Sequence, residues 1–357
     1  MSVSGVWPDR RFEALLRSRL PVVQAPMAGA GGVDLAVAAI EGGAVGSLPC
    51  GMLGAAEVKA QAAELRSRAS GPLNLNFFCH VMPDGVGDGA WRALLAPFYD
   101  RLGVAQQVAD GPLRRPFDEK MCEAVEEVRP ELVSFHFGLP PAPLLERVRA
   151  AGATLIANAT TLQEAAWLKE RGVDAIVAQG WEAGGHAGRF LGGRPDEQMG
   201  LFALLPQMAD ATGLPVIAAG GIGDGRGVAA ALTLGAAAVQ LGTAYLHCPE
   251  SHATPHHRRA LAGEAAEHSL FTNLFSGGLA RGLWTAPMEE LGPVRAEAPP
   301  YPLAAAALQP LANAAAQRGE PGLRPMWAGQ AARLGKALPA RELTEMLGRD
   351  ALARLTG

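Results

Sequence analysis

Short apolar segments alternate with longer helical patterns through the first 246 residues of the chain. Glycine, proline and asparagine separate them, and several short segments are continuously apolar, which is typical of strands buried on both faces. The helical stretch GRGVAAALTLG ends at Gly235, a residue type that favours the left-handed turn after a helix. Eight strands are predicted, at PVVQAPM from Pro21, AVGSLPC from Ala44, LNLNFF from Leu73, LVSFHF from Leu132, TLIANAT from Thr154, AIVAQG from Ala175, PVIAAGG from Pro215 and AVQLGTAYL from Ala238.

This regular alternation predicts an α/β fold in which right-handed crossovers join parallel strands. Eight strand–helix units in about 250 residues match the size of a (β/α)8 TIM barrel. The competing doubly wound sheet usually carries the dinucleotide loop GxGxxG after its first strand. Because GAGGVD and GGIGDGRG both fail that spacing, we predict that residues 1–246 form a barrel.

The pattern changes from His247 onward. Helical segments and proline-rich connections such as EAPPYPLAAAALQP follow, without a clear strand. We expect residues 247–357 to form a mainly helical C-terminal region over the barrel mouth, where it caps the substrate site.

The composition narrows the function. The 357-residue chain is 49% apolar and 18% charged with a formal net charge of -4, which favours a large core and argues against nucleic-acid binding. Lysine occurs only four times, so backbone N–H groups, arginines or histidines must hold any anion. The amino terminus lacks a signal-peptide core, and no apolar run reaches the roughly 18 residues of a membrane span. With four scattered cysteines, we expect a cytoplasmic protein with reduced thiols, and a homodimer stays open.

Polar and glycine residues gather where the predicted strands end, and those ends form one ring in a closed barrel. After the seventh and eighth strands, Gly220–Gly221 and Gly242–Thr243 would present backbone N–H groups to a phosphate near helix N-termini. The alternative is that these glycines only permit tight turns.

The loop AQGWEAGGH places His186 after a glycine pair at a strand end. A histidine there accepts a proton near pH 7 or, when charged, stabilises an anion. Glu182 either orients this loop or is solvated, and His136 is either a core histidine or a second pocket histidine. Asn76 needs a hydrogen-bond partner if it is buried.

Two other groups invite a chemical interpretation. Histidines cluster at His247, His252, His256 and His257, but Pro255 interrupts the helical spacing and no third ligand type is near, so metal binding is disfavoured. Cys50 lies at a strand end without a partner base, which favours a small buried thiol over a nucleophile.

Five motifs in order, QAPMAGAGG, NLNFF, AQGWEAGGH, IAAGGIGDG and QLGTAYLHCPES, together resemble the nitronate monooxygenases, formerly called 2-nitropropane dioxygenases. The resemblance implies an FMN-dependent oxidoreductase that converts an alkyl nitronate or nitroalkane and O2 to a carbonyl compound and nitrite without NAD(P)H. It implies His186 as the substrate-polarising or general-base residue and His136 as a second catalytic histidine. The residues implied for FMN binding are Ala25, Met27, Asn76, Gln179, Gly184, Gly185, Gly220, Gly221, Gln240, Leu241, Gly242 and Thr243.

The chain departs from the family pattern at two places. An SGRxAR-like run is expected where the chain has Ser276-Gly277-Gly278-Leu279-Ala280-Arg281, so the substrate contact of the first arginine is missing. Trp181 is bulkier than expected and would narrow the pocket. Three other functions stay open: an FMN-dependent enoyl-acyl-carrier-protein reductase using NAD(P)H, a flavin-free phosphate-binding isomerase or lyase, and a non-catalytic flavoprotein.

Overall fold

Eight parallel strands form a closed barrel in the computed structural model, which describes residues 7–106 and 114–357. Their order around the barrel is β1-β9-β8-β6-β5-β4-β3-β2, and a bridge between Val23 and Val45 joins β1 to the start of β2. The backbone N–H of Val45 donates to the carbonyl of Val22 at 2.9 Å. The barrel strands are β1 (Val22–Gln24), β2 (Gly46–Pro49), β3 (Leu73–Phe78), β4 (Leu132–His136), β5 (Thr154–Ala159), β6 (Ala175–Gln179), β8 (Val216–Ala219) and β9 (Ala238–Leu241).

Helices cover the outside of the barrel because the strands are apolar on both faces. This outer layer contains α2 (Val33–Gly42), α3 (Ala55–Arg68), α5 (Glu119–Val128), α6 (Ala142–Ala150), α7 (Leu162–Glu170), α8 (Leu201–Thr212), α9 (Gly225–Thr233) and α14 (Ala340–Leu355). The other helices are α1 (Arg11–Leu16), α4 (Gly89–Leu102), α10 (Thr243–Leu246), α11 (Pro255–Ala262), α12 (Ala286–Leu291) and α13 (Ala304–Gln317). In the part of the chain described here, no helix is long and apolar enough to cross a membrane.

The predicted barrel is confirmed, with one change at its last strand. All eight predicted segments contain a barrel strand, and Gly235 has the expected left-handed backbone with φ of +100°. The eighth strand ends at Leu241, whereas the prediction extended it through Leu246. Residues Thr243–Leu246 form the short helix α10, in which the buried Tyr245 hydroxyl is hydrogen-bonded to Thr344 of α14 at 2.6 Å.

The expectation of no strand after His247 is wrong. Strands β10 (Ser269–Thr272) and β11 (Ala280–Leu283) pair with each other, and β11 also pairs with β7 (Gly185–His186). This small antiparallel sheet carries the histidine loop. Its strands are short, and the pairing with β7 joins segments that are distant in sequence, so local periodicity does not reveal it.

A second hydrophobic core lies beside the barrel, between α4 and α13. It contains Trp91 and Tyr99 of α4 and Leu308 and Leu311 of α13. The indole N–H of Trp91 donates to the carbonyl of Ala304 at 3.2 Å. Because α4 follows β3 and α13 lies near the C-terminus, the predicted boundary at residues 246/247 does not separate the two cores.

The last helix, α14, belongs to the barrel layer. It packs against α2 and α9, and its apolar face joins the barrel core through Leu343, Leu347 and Leu352. It occupies the place of the helix that follows the eighth strand in a (β/α)8 barrel, and residues 242–339 lie between β9 and this helix in the chain. The C-terminal region is therefore mainly helical, as predicted, but its end completes the barrel.

We expect Leu347→Ala to lower the free energy of unfolding by about 2–5 kcal/mol, because it removes a large apolar side chain from a closely packed core. Leu347 is 0% exposed. Urea denaturation followed by circular dichroism measures the change. The matched control on the same helix is Arg349→Ala, an exposed side chain, with an expected change within about 0.5 kcal/mol. Equal stability of both variants would show that α14 is not part of the cooperative barrel.

Candidate functional site

The carboxyl ends of the barrel strands open into a cavity of about 630 Å³. Parallel strands place these ends at one mouth, so residues far apart in sequence line the same space. Thirteen residues predicted for the site line it: Ala25, Met27, Asn76, His136, Gln179, Gly184, Gly185, His186, Gly220, Gly221, Gln240, Gly242 and Thr243.

Leu241 is the exception among the predicted cofactor residues. It does not line the cavity, and its side chain is 1% exposed and belongs to the barrel core. Side chains alternate along a strand, so Gln240 reaches the cavity while Leu241 is buried in the core. Its carbonyl accepts a hydrogen bond from the N–H of Ala25 at 2.8 Å, which joins the ends of β9 and β1.

The ends of β8 and β9 form a polar corner suited to an anion. Gly220 and Gly221 have φ of +108° and +67°, and a Cβ on Gly220 would lie 3.0 Å from the backbone nitrogen of Ala183. Glycine is therefore required here by conformation as well as by space. The hydroxyl oxygen of Thr243 accepts from the N–H of Gly329 at 2.9 Å, which leaves its O–H free to donate to a ligand.

Gln179 holds the histidine loop against the barrel. Its side-chain amide donates to the carbonyl of His186 at 2.9 Å, and its oxygen accepts from the N–H of Gly188 at 2.8 Å. A Cβ on Gly188 would lie 2.1 Å from the side-chain nitrogen of Asn158. The two hydrogen bonds of Gln179 and the absence of a side chain at residue 188 together fix the backbone around His186.

Glu164 anchors the far end of the same loop. This carboxylate, 1% exposed, accepts from the N–H of Phe190 at 2.7 Å and from the N–H and hydroxyl of Thr160 at 2.7 Å each. It therefore ties the segment after His186 to the end of β5. Buried carboxylates without such donors are costly, so this bonding explains how the charge is accommodated.

Glu182 orients the loop, which resolves the alternative that the sequence left open. Its carboxylate accepts from the N–H of Leu201 at 2.9 Å, at the N-terminus of α8. Its carbonyl accepts from the N–H of Gln330 at 3.0 Å. Gly184 packs against the same C-terminal segment, because a Cβ there would lie 2.5 Å from the nitrogen of Gly329.

His186 faces the cavity from β7, and Ser276 sets its orientation. The Nε2 atom of His186 lies 2.8 Å from the hydroxyl oxygen of Ser276. Within the described ranges, Nδ1 of His186 has no hydrogen-bond partner. Burial holds the pKa of His186 well below its usual range, and the charge of Arg114 lowers it further. The imidazole is therefore neutral near pH 7.

His136 lines the cavity behind His186. Its Nε2 atom lies 3.3 Å from the carbonyl oxygen of His186, and burial lowers the pKa of His136 to about 4. Its ring lies 4.5 Å, centroid to centroid, from that of Phe137, whose φ of +67° turns the chain at the end of β4. His136 is therefore a second pocket histidine that also supports the His186 backbone.

The two departures in sequence have structural explanations. Trp181 does not line the cavity; its ring packs against Phe271 at 4.4 Å, so the expectation that it narrows the pocket is wrong. Arg281 is buried and donates to the carbonyls of Trp181 at 3.0 Å and Ser269 at 2.8 Å. The first arginine of the run was expected at residue 278, where the chain has Gly278. The Tyr301 ring lies beside it, and a Cβ at residue 278 would be 3.3 Å from a ring atom.

Cys50 is a buried thiol, as the sequence favoured. Burial raises its pKa to about 12, so it carries no thiolate near pH 7.

The four histidines that cluster in the sequence after β9 do not lie on one helix. Helix α11 begins at Pro255, so His252 precedes it, and the hydroxyl of Thr254 caps it by accepting from the N–H of His257 at 3.2 Å. In residues 7–106 and 114–357, no three metal-ligating side chains come together.

Several residues at the site carry no recognisable local sequence signal. Glu164, Tyr301, Trp327 and Arg114 belong to elements that tertiary contacts bring to the mouth. Glu164 looks like an ordinary helical glutamate, although Thr161 three residues earlier marks it as part of a capping pattern. The SGRxAR-like run contains Ser276, but the sequence did not predict its contact with His186.

Comparison with known proteins identifies the family. A family model described as nitronate monooxygenase matches residues 10–350. The chain belongs to the nitronate monooxygenase family. It is 44% identical to a nitronate monooxygenase of Paraburkholderia phytofirmans, over 96% of this chain and 94% of that protein. It is 40% identical to a nitronate monooxygenase of Pseudomonas aeruginosa, over 94% and 97%.

Solved structures agree with this family assignment. A nitroalkane oxidase from Streptomyces ansochromogenes superposes with a TM-score of 0.88 at 35% identity, covering 96% of this chain and 98% of that chain. FabK from Thermotoga maritima superposes less well, with a TM-score of 0.74 at 25% identity over 97% and 96%. The resemblance seen in the five sequence motifs is thus confirmed.

We expect Glu164→Gln to loosen the histidine loop, because an amide NH2 group cannot accept the backbone hydrogen bonds that one carboxylate oxygen now accepts. The free energy of unfolding should fall by about 1–3 kcal/mol, and proteases should cut faster between residues 188 and 200. Urea denaturation and timed proteolysis measure these effects. Glu170→Gln, on the exposed part of the same helix, is the control. Unchanged cleavage would mean that Glu164 does not hold the loop.

We also expect stability to depend on pH through His136. Because its pKa is lowered to about 4, the unfolded chain binds a proton below about pH 6.5 that the folded chain does not bind. The free energy of unfolding therefore falls as the pH falls from about 6.5 towards about 4. His136→Gln should reduce that slope by up to about 1.4 kcal/mol per pH unit. Denaturation at several pH values tests this, with exposed His268→Gln as control; a slope unchanged by His136→Gln contradicts it.

Proposed function

We propose that this protein oxidises alkyl nitronates with O2 to a carbonyl compound and nitrite, using FMN bound in the barrel mouth. The reaction balances at two nitronate anions for each O2, which give two carbonyl molecules and two nitrite ions. The observation that carries the proposal is the cavity, which joins an anion-binding corner to a neutral histidine in a chain that belongs to the nitronate monooxygenase family.

The residues at the mouth fit FMN. Backbone N–H groups near Gly220, Gly221 and Gly242, together with the free O–H of Thr243, suit a phosphate dianion without a lysine. Asn76 and Gln240 line the remaining cavity and offer amide groups to a polar ring edge. When bound, FMN supplies the electron transfer between substrate and O2.

His186 accepts the proton of a nitroalkane and orients a nitronate. The hydroxyl of Ser276 donates to the carbonyl of Gly278 at 3.3 Å, so its oxygen accepts from Nε2–H of His186. In that tautomer the lone pair of Nδ1 is free to accept a proton from the α-carbon of a neutral nitroalkane. A nitronate has already lost that proton, so it needs only orientation beside the imidazole. The lowered pKa of His186 keeps the base form available at neutral pH.

Two other residues hold the His186 imidazole in position and take no part in the proton transfer. Gln179 and His136 both contact the carbonyl of His186, at 2.9 Å and 3.3 Å, and so hold the backbone that carries its ring. Catalytic groups need such support, because small displacements of the reacting atoms cost large factors in rate. We therefore assign His136 and Gln179 to positioning, beside the predicted flavin contact of Gln179.

The decisive experiment is aerobic nitrite release from a panel of nitronates and their parent nitroalkanes, with the parent enzyme and His186→Asn. We expect nitroalkane turnover to fall roughly 100-fold or more, since that reaction needs the base, and nitronate turnover to fall less. His268→Asn, at an exposed position, is the control. Nitrite formation unaffected by His186→Asn would show that the assignment of this histidine is wrong.

Two further measurements distinguish the other functions. A flavin spectrum must be present in the purified or FMN-reconstituted protein; a protein that takes up no FMN would favour the flavin-free isomerase or lyase. Anaerobic mixing with NADH must not bleach that spectrum rapidly, as it would in a reductase. Retained FMN without turnover on any nitro compound or enoyl thioester would support a non-catalytic flavoprotein. A cytoplasmic location and a homodimer stay predictions.

A further inference from the structure

Arg114 places a positive charge at the edge of the cavity, on the side of the two pocket histidines. Its side chain lines the cavity, and its Cζ atom lies 5.9 Å from the centre of the Tyr301 ring. The Tyr301 ring lies 5.1 Å from that of His186. The backbone carbonyl of Arg114 is 3.2 Å from Nε2 of His80, which fixes this part of the chain to the segment after β3.

No carboxylate in residues 7–106 or 114–357 forms an ion pair with Arg114. Its Nε atom is buried and makes no hydrogen bond, and the same holds for the hydroxyl of Tyr301 and Nδ1 of His80. The His80 and Tyr301 rings are 4.7 Å apart, so these three polar atoms lie close together beside the cavity, which Arg114 itself lines. Because Nε2–H of His80 donates to the carbonyl of Arg114, Nδ1 of this imidazole is an acceptor, whereas Nε–H of Arg114 and the O–H of Tyr301 are donors. Buried donors are rarely left without acceptors in a complete site.

The neighbouring histidines do not supply a positive charge. Burial keeps the pKa of His136, His186 and His80 below the ordinary value, and the charge of Arg114 adds to this effect at His186 and His80. Burial raises the pKa of Tyr301 to about 12, so its hydroxyl stays protonated and is able to donate. Arg114 is therefore a cation beside the pocket histidines, and Arg324 also lines the cavity.

We propose that Arg114 binds the planar anionic group of the substrate, so that the site selects the nitronate anion over the neutral nitroalkane. A guanidinium presents its N–H groups in a flat fork that matches two oxygens in a plane, as in a carboxylate or a nitronate. The inference rests on the proposed function for the identity of the substrate. The anion site itself follows from the guanidinium, which forms no ion pair with the described residues, and from the nearby O–H of Tyr301, which has no acceptor there.

Nitrate is the probe for this site, because it is a planar anion that cannot undergo the reaction. The FMN-loaded protein is titrated with nitrate and the dissociation constant is measured by calorimetry and by the change in flavin absorbance. We expect Arg114→Met to weaken nitrate binding at least tenfold and Arg114→Lys to weaken it less, since lysine keeps the charge but loses the fork. Arg115→Met, at the adjacent exposed arginine, is expected to bind nitrate as the parent does.

Steady-state rates give the second readout. Arg114→Met should raise KM for the nitronate at least tenfold. It should change kcat/KM for the neutral nitroalkane less than about threefold. That limit corresponds to about 0.7 kcal/mol, because a factor of ten corresponds to about 1.4 kcal/mol. The flavin content of each variant reports whether it folds and binds FMN. If Arg114→Met is not obtained with FMN, Arg114→Lys and Arg114→Gln are compared instead.

The possible results separate this inference from the proposed function. Nitrate binding that is equal in the parent and a flavin-loaded Arg114→Met variant overturns the anion site, even if nitrite is released from nitronates. An equal loss in Arg115→Met also overturns it, since that would be a general effect of charge. Nitrate binding that depends on Arg114, with no nitrite from any nitronate, supports the anion site and contradicts the proposed reaction.

Discussion

The position of His186 depends on hydrogen bonds from buried side chains to the backbone of its loop. Gln179 binds residues 186 and 188, and Glu164 binds residues 190 and 191. Trp181 and Phe190 pack at the two ends of the loop, against Phe271 and Trp167, and the residues between them are mostly small or polar. Because unpaired backbone groups are costly to bury, the side chains that satisfy them also decide where the His186 imidazole lies.

Small residues let the C-terminal segment close over this loop. Gly184 and Gly329 pack backbone to backbone, and Arg281 reaches from β11 to the carbonyl of Trp181. The C-terminal region is therefore joined to the histidine loop by the main-chain contact of Gly329 and by the buried guanidinium of Arg281. Such contacts fix geometry more narrowly than exposed side chains do, because they have few alternative arrangements. The corner at the ends of β8 and β9 and the histidine loop therefore contact the same C-terminal segment, because Gly329 lies against both Thr243 and Gly184.

The electrostatics of the cavity are asymmetric. The pocket histidines are neutral because they are buried, whereas Arg114 keeps its charge and lies beside Tyr301. A neutral imidazole is a base, and a guanidinium is a permanent cation, so the proposed binding of an anion and the proposed acceptance of a proton rest on different residues. At the other end, the corner that we propose for the phosphate has backbone N–H groups and Thr243, which agrees with the scarcity of lysine.

The sequence by itself determined the barrel and most of its rim. Continuous apolar strands such as AIVAQG and glycine pairs such as Gly220–Gly221 are local signals, since burial on both faces and left-handed backbone restrict residue type position by position. Only the tertiary structure decided the rest. The pairing of β11 with β7, the role of Glu164 and the place of Arg114 arise between segments far apart in the chain. No local pattern encodes such contacts, because their free energy exists only once the barrel has brought the segments together.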